Sequence, residues 1–181
     1  KPSNVLLGAD GRARVTDFGI AARLDDDRDG ERIVGTPGYM SPEATQGAAP
    51  AAAMDLFAVG VMLAEALCGH RLVTQRDPQQ AMRQVAEEDL QLPEELAAEV
   101  DDALRAILRR ALQRDPQQRV ASAAELREAL VCWLAPPGRC DADAAADAPG
   151  KATSGALDFL LRRMRHNSDF PALSDSVARI Q

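Results

Sequence analysis

The first nineteen residues, KPSNVLLGADGRARVTDFG, decide the fold and the candidate site. Short apolar runs stand on both sides of a turn with two glycines (residues 8–11), which predicts a two-stranded hairpin. Asn4 precedes the first strand and Asp17 follows the second, so the hairpin should bring these two side chains together. An amide oxygen and a carboxylate at one point are hard oxygen ligands, which suit Mg²⁺. Lys1 adds a positive charge beside them.

Three further features follow downstream. Residues 35–43 read GTPGYMSPE, Asp55 precedes a long apolar run, and Arg119 stands far along the chain. Together with the first nineteen residues, these features resemble the eukaryotic-type (Hanks-type) serine/threonine protein kinase family in order and spacing. The resemblance covers residues 1–134, with Ser41 where the family usually has Ala.

The resemblance implies a role for each matching residue. Asp17 and Asn4 would bind the Mg²⁺ ions that hold the phosphates of ATP. Lys1 and Thr36 would act as catalytic residues at the phosphoryl group being transferred. The resemblance also implies an ion pair between Glu43 and Arg119. The residues expected to have structural or regulatory roles are Phe18, Gly19, Glu43, Asp55 and Arg119.

The function implied is the transfer of the ATP γ-phosphoryl group to Ser or Thr hydroxyls of a protein substrate. Lys1 and Thr36 favour Ser/Thr over Tyr acceptors. In the family the catalytic Asp, the strand Lys and the glycine-rich loop all precede Lys1. The chain is therefore expected to be a fragment of a kinase, cut inside the catalytic loop and inactive alone. The Ala-rich composition and the wording of residues 35–43 favour a bacterial source. The alternative is a pseudokinase that serves as a scaffold or interaction module without phosphotransfer.

The expected fold is mainly α: the large, C-terminal lobe of a kinase over residues 1–134, with a short β-hairpin at its start. Residues 135–155, rich in Ala, Asp, Pro and Gly, predict a disordered acidic linker. Residues 156–181 predict a short tail helix that resembles the lead-in to bacterial HD-related output domains. A docking helix or an unstructured tail is the alternative for this last segment.

Periodicity and capping residues predict four helices in the lobe. The run from Leu56 is apolar nearly all round, which indicates a buried helix, and the segment before it, residues 44–53, reads as a connection. The four predicted helices are a buried one that opens at Asp55 and ends at Gly69, one at 78–88 capped by Asp77, an amphipathic one at 96–112, and one that opens with a capping box at Ser122 and runs to Leu134.

The resemblance implies an activation loop over residues 20–34, and this segment contains no Ser, Thr or Tyr. It carries several acidic residues instead, so phosphorylation within it is not available as a switch. Two interpretations stay open. One of the carboxylates replaces a phosphate by pairing with an arginine, or the loop is simply acidic and solvated.

Composition excludes several other classes of function. The net charge of −7 argues against a nucleic-acid surface and against docking on anionic membranes. The three cysteines form no Cys-x-x-Cys pair, which argues against zinc and disulfides and favours a cytoplasmic protein. The longest apolar stretch, residues 56–64, is too short for a membrane span. ATP and a protein substrate are the expected partners.

Overall fold

The computed structural model describes residues 1–8, 12–18, 35–93 and 100–135. The described part is mainly helical with one small antiparallel sheet, as the sequence predicts. The predicted activation loop at 20–34 and the tail at 156–181 lie outside the described residues, as does all of the predicted linker after Ala135. The elements are β1 (Val5–Leu7), β2 (Ala13–Val15), α1 (Pro42–Thr45), α2 (Ala52–Cys68), α3 (Pro78–Glu87), α4 (Asp102–Ala111) and α5 (Ala123–Leu134), with 3₁₀ turns at Pro2–Asn4 and Pro37–Tyr39.

The predicted hairpin is confirmed. Strands β1 and β2 pair antiparallel, with Val5 opposite Val15. The pairing continues past the strands, because the Thr16 backbone N–H donates to the Asn4 carbonyl at 2.8 Å. This extra hydrogen bond fixes the open end of the hairpin, where the candidate site lies.

Helix α2 is the centre of the hydrophobic core. Its residues Val61 and Ala64 have no exposed surface and Phe57 has 1 %. It contacts α4 on one side and the 3₁₀ turn Pro37–Tyr39 on another. Gly69 ends the helix in the left-handed conformation, at φ 77°, as the sequence predicts. A helix that is apolar nearly all round is thus buried on several faces.

Two helices start where the sequence reading did not place them. Helix α2 opens at Ala52, so the prediction that Asp55 caps it is wrong: Asp55 lies inside the first turn, where its charge still favours the helix dipole. Helix α4 opens at Asp102 instead of residue 96, because the Asp101 carboxylate accepts the Leu104 N–H at 2.8 Å and so caps the helix there. Residues 94–99 lie outside the described ranges.

The segment at 44–53 is not a simple connection either. It contains the end of α1 and the first residues of α2. Helix α1 forms because Ser41 accepts the Ala44 N–H at 3.3 Å, with Pro42 at the first helical position.

The caps predicted for the other two helices are confirmed. Asp77 accepts the Gln80 N–H at 2.9 Å at the start of α3. Ser122 accepts the Glu125 N–H at 3.1 Å at the start of α5. The Glu125 carboxylate accepts the N–H of Ala121 at 2.7 Å, one residue before the cap, so it satisfies a neighbouring backbone donor in place of the Ser122 N–H of a standard capping box.

Gly60 of α2 lies against the end of α4. A Cβ atom at this position would lie 2.9 Å from the Ala111 Cβ and 3.3 Å from the Ala111 carbonyl carbon. Because one of these neighbours is backbone, Gly60→Ala should force the helices apart and lower the free energy of unfolding by ~1–3 kcal/mol. Urea unfolding followed by fluorescence of Trp133, the only tryptophan in the sequence, measures this.

The matched control for that variant is Gly60→Ala combined with Ala111→Gly. The second change removes the clashing methyl group, so the double variant should be more stable than the sum of the two single effects predicts. Purely additive effects, or an unchanged single variant, would show that the two helices do not meet as closely as described.

Candidate active site

The hairpin brings Asn4 and Asp17 together, as the sequence predicts. The Asn4 side-chain nitrogen Nδ2 donates to the Asp17 carboxylate oxygen Oδ2 at 3.3 Å. Two local features position Asn4: it ends the 3₁₀ turn Pro2–Asn4, and its carbonyl accepts the Thr16 hydroxyl at 3.3 Å. The adjacency is confirmed, whereas the role of the pair in metal binding stays a prediction.

Asp17 adopts a left-handed backbone conformation, with φ 63°. It is the only non-glycine residue with positive φ in the described part of the chain. This conformation costs a non-glycine residue roughly 1–2 kcal/mol, although Asp tolerates it better than most. Strained residues of this kind cluster at functional sites, and here the strain directs a carboxylate toward Asn4.

The donor set at this point fits Mg²⁺. Asp17 is exposed and Asn4 is partly buried, so both can reach a ligand from solvent. Within the described residues no group of three or more His, Cys, Asp or Glu side chains could hold a metal, so a self-contained protein cage is absent there. Mg²⁺ commonly uses one or two protein oxygens and completes its shell with water and substrate phosphates. A half-turn of the Asn4 amide would present its oxygen in place of its nitrogen.

Lys1 stands directly before the 3₁₀ turn Pro2–Asn4. Its carbonyl accepts the Asn4 N–H at 3.0 Å, which closes the 3₁₀ turn. The Lys1 side chain is exposed.

The other residues predicted for the site are Phe18, Gly19 and Thr36. Phe18 follows Asp17 and is 68 % exposed, and Gly19 lies outside the described residues. Thr36 precedes the 3₁₀ turn Pro37–Tyr39, and its hydroxyl does not cap that turn. Among the described residues, no hydrogen bond joins Thr36 to Lys1.

Apolar surface is exposed beside the site. Leu6 is 49 % exposed and Val15 is 65 % exposed, and both belong to the hairpin. With Phe18, they are the large apolar side chains most exposed to solvent in the described part of the chain. Leu6 and Val15 lie on opposite faces of the hairpin, because Val15 pairs with Val5 and successive residues of a strand alternate between the two faces.

The predicted ion pair between Glu43 and Arg119 is present, and it is bidentate. The distances are 2.8 Å from Nη1 to Oε1 and 3.0 Å from Nη2 to Oε2. The Arg119 side chain is fully buried, and its guanidinium lies 5.0 Å from the centre of the Phe57 ring. Its three remaining N–H groups donate to the carbonyls of Ala53, Gln113 and Arg114, so all five donors are used.

This ion pair predicts a dependence of stability on pH. Burial acts to raise the pKa of Glu43, but hydrogen bonds and the charge of Arg119 outweigh it and hold the pKa below the ordinary value of 4.5. A carboxyl with a lower pKa in the folded state stabilises the fold above that ordinary value, and this stabilisation is lost as the pH falls through the folded-state pKa.

Acid unfolding of the 181-residue chain and of Glu43→Gln measures this contribution. The wild type should lose stability more steeply than the variant as the pH falls below 4.5. Identical slopes in the two proteins would contradict the assignment.

Sequence reasoning missed Glu65. It is 2 % exposed, and its carboxylate accepts the Tyr39 hydroxyl at 2.7 Å and the Leu72 N–H at 3.1 Å. It thereby joins the 3₁₀ turn at Pro37–Tyr39 to α2 and to the loop that follows α2. The signal in the sequence was a lone glutamate within an otherwise apolar helix, since a buried charge requires partners.

The described helices carry no membrane signal: none combines the length and apolarity needed to cross a bilayer.

A family model and several curated relatives match this chain, and all of them are protein kinases. The family model described as "Protein kinase domain" matches residues 1–131. A putative ribosomal protein S6 kinase alpha-1 of Caenorhabditis elegans is 36 % identical over 61 % of this chain and 14 % of its own length. The serine/threonine-protein kinase PAK mbt of Drosophila melanogaster is 34 % identical over 76 % of this chain and 21 % of its own length.

A bacterial relative gives a similar match. The serine/threonine-protein kinase PknB of Mycolicibacterium smegmatis is 32 % identical over 72 % of this chain. The chain spans 22 % of that relative's length, so it corresponds to only a part of each of these proteins. With a family model that matches well over half of the residues, the chain belongs to the protein kinase domain family.

Proposed function

We propose that this chain is the C-terminal lobe of an ATP- and Mg²⁺-dependent serine/threonine protein kinase. The observation that carries the proposal is the 3.3 Å contact between Asn4 and Asp17 at the open end of the hairpin. In a member of the kinase family, these residues match the asparagine and aspartate that hold the metal ions. Residues 135–155 and 156–181 are proposed to be a linker and the start of a further segment.

Phosphoryl transfer requires mainly positioning and neutralisation of charge, because the protein does little covalent chemistry. Asp17 and the amide oxygen of Asn4 would hold Mg²⁺. When bound, the metal neutralises negative charge on the ATP phosphates. The ammonium group of the Lys1 side chain would lie beside the phosphoryl group that is being transferred. The acceptor of the substrate hydroxyl proton would be the aspartate that the family places two residues before Lys1.

The segment 35–43 would form the platform for the protein substrate. Its middle and its C-terminal end are fixed: Tyr39 is hydrogen-bonded to the buried Glu65, and Glu43 is paired with the buried Arg119. Such anchoring supports the proposal because the substrate hydroxyl must be held close to the phosphoryl group. Thr36 lies in the same segment, and its proposed contact with Lys1 would form when substrate and nucleotide are bound.

Two arguments support Ser and Thr as acceptors. Lys1 and Thr36 match the residues that serine/threonine kinases use, and two of the relatives described above carry that activity in their names. The relatives include animal and bacterial proteins. The proposal of a bacterial source therefore rests on the Ala-rich composition and on the sequence of residues 35–43. A cytoplasmic location rests on the cysteine pattern.

The test is a phosphotransfer assay with the full-length protein. Radiolabelled ATP is supplied with peptides that differ only in carrying Ser, Thr or Tyr as the acceptor. We expect Mg²⁺-dependent labelling of the Ser and Thr peptides, and little of the Tyr peptide. Nucleotide binding without any labelling would favour the pseudokinase alternative, and preferential labelling of the Tyr peptide would refute the proposed specificity.

A further inference from the structure

The last five residues of α5, which read LVCWL, are apolar on every side of the helix, yet all of them are partly exposed. Leu130 and Trp133 pack against the hydrophobic cluster between α2 and α4. Val131 and Leu134 belong to none of the hydrophobic clusters of the described residues, and we call these two the α5 patch. A helix that is apolar all round is normally covered on all sides, so the patch indicates a surface for a further element.

The α5 patch is held in a fixed position. The Trp133 indole N–H donates to the Asp101 carboxylate at 2.7 Å. The other oxygen of that carboxylate caps α4, because it accepts the Leu104 N–H at 2.8 Å. The end of α5 is thereby joined to the start of α4. Val131 and Leu134 are three residues apart, so they are neighbours on one side of this anchored helix.

The candidate occupant of the patch is the tail segment, residues 156–165, which lies outside the described residues. It reads ALDFLLRRMR, and its apolar side chains recur at the spacing of an amphipathic helix. We call this set the tail stripe: Leu157, Leu160, Leu161 and Met164. A helix of about ten residues is about 15 Å long and is marginal in water by itself, so it needs an apolar surface that covers its stripe.

The connection between the two places the tail segment close to the patch. Helix α5 ends at Leu134, directly beside the patch, and about 20 linker residues precede the tail segment. A flexible chain of that length has an end-to-end distance of roughly 25 Å. Such a tether gives an effective concentration on the order of millimolar, so even a weak contact within the chain is populated.

The charges of the two surfaces are complementary. The tail segment carries three arginines and one aspartate, whereas the chain as a whole has a net charge of −7. Glu128 is exposed on α5 and stands three residues before Val131, on the same side of the helix as the patch. A basic helix docked on the patch would thus lie beside a carboxylate.

We propose that the tail segment folds back as a helix and docks its stripe on the α5 patch of the same chain. The contact covers Val131 and Leu134 and closes the linker into a loop at the end of the lobe. It does not depend on phosphotransfer, so it holds for an active kinase and for a pseudokinase scaffold alike.

Hydrogen exchange of the 181-residue chain, followed by mass spectrometry, tests this docking. We expect the amides of residues 157–165 to exchange about tenfold more slowly than in a variant with both Leu160→Gln and Leu161→Gln, which corresponds to docking for about nine-tenths of the time. Gln favours helix about as well as Leu, so the variant removes the apolar contact and keeps the helix propensity. Phe159→Gln is the matched control, because Phe159 falls on the side of the helix opposite the stripe and its loss should leave the protection intact.

The patch is tested from the other side by Val131→Gln, which should abolish the protection of the tail segment. Ala124→Gln, at an exposed position of the same helix, should not. Unfolding midpoints of both variants show whether the lobe stays folded. Unprotected tail amides in the wild type, protection that survives Val131→Gln, or protection lost equally in Phe159→Gln would overturn the inference. Protection that rises with protein concentration would also overturn it, since the occupant would then be a second copy of the chain.

Binding of a labelled peptide of residues 156–165 gives a second measurement. In the variant with both Leu160→Gln and Leu161→Gln the patch is open, and fluorescence anisotropy should detect the peptide bound to it. The wild type should bind the peptide roughly tenfold more weakly, because its own tail segment competes at high effective concentration. Equal affinity of the two proteins for the peptide would contradict docking within the chain.

Discussion

Replacing Asp17 by Asn in the full-length protein is expected to lower the rate of phosphotransfer on the order of a thousandfold or more. The change removes the only charged ligand of the proposed metal site and leaves two neutral amides in contact. A thousandfold loss corresponds to ~4 kcal/mol, which is within the several kcal/mol that a bound metal contributes to stabilising transition-state charge. The measurement is the initial rate with saturating ATP and a Ser peptide.

The substitution is a sharp test because it should not disturb the backbone. Asp17 has φ 63°, and Asn is one of the few residues that tolerates this region as well as Asp does. Unfolding midpoints of the variant and the wild type should therefore agree. Asp102→Asn is the matched control, since it removes the same charge from a side chain that is 98 % exposed on α4. A rate within a few-fold of the wild type for Asp17→Asn would refute the proposed role.

The second large effect concerns stability. Replacing Arg119 by Met should lower the free energy of unfolding by about 3–5 kcal/mol, because removing one partner leaves a partly buried carboxylate and several carbonyls without donors. The affected acceptors are those of Glu43, Ala53, Gln113 and Arg114. Because small domains have only ~5–15 kcal/mol of stability in total, urea unfolding of the 181-residue chain should show a large shift.

Two comparison variants identify the cause of that loss. Arg83→Met breaks an exposed ion pair with Glu87 and should cost less than about 0.5 kcal/mol. Arg119→Lys keeps the charge but not the planar fork of donors, so its stability should lie between those of the wild type and Arg119→Met. An Arg119→Met variant no less stable than Arg83→Met would show that the pair does not anchor the segment 35–43.

The features that the sequence predicts well are those encoded locally. The hairpin follows from two apolar runs around a turn, and the end of α2 follows from Gly69. The caps of α3 and α5 follow from Asp77 and Ser122, because a capping side chain bonds a backbone group only three residues away. The adjacency of Asn4 and Asp17 follows from the hairpin itself.

The features that the sequence did not reveal depend on competing or distant contacts. Helix α2 extends back to Ala52 because alanine favours helix, although it adds no apolar periodicity to detect. At the start of α4 the apolar pattern and the cap at Asp101 disagree, and the cap determines the boundary. The hydrogen bond between Glu65 and Tyr39 joins residues that are 26 positions apart in the sequence, so it can be seen only in the folded chain. The pairing of Glu43 with Arg119 was predictable from family resemblance alone.

Asn4 and Asp17 are proposed to hold magnesium together on a bound nucleotide. A crystal structure of the full-length protein with Mg²⁺ and a non-hydrolysable ATP analogue tests it directly. We predict a carboxylate oxygen of Asp17 and the amide oxygen of Asn4 at roughly 2.0–2.1 Å from Mg²⁺ ions that also contact the phosphates. Metal ions bound to the phosphates with neither of these side chains among their ligands would contradict it.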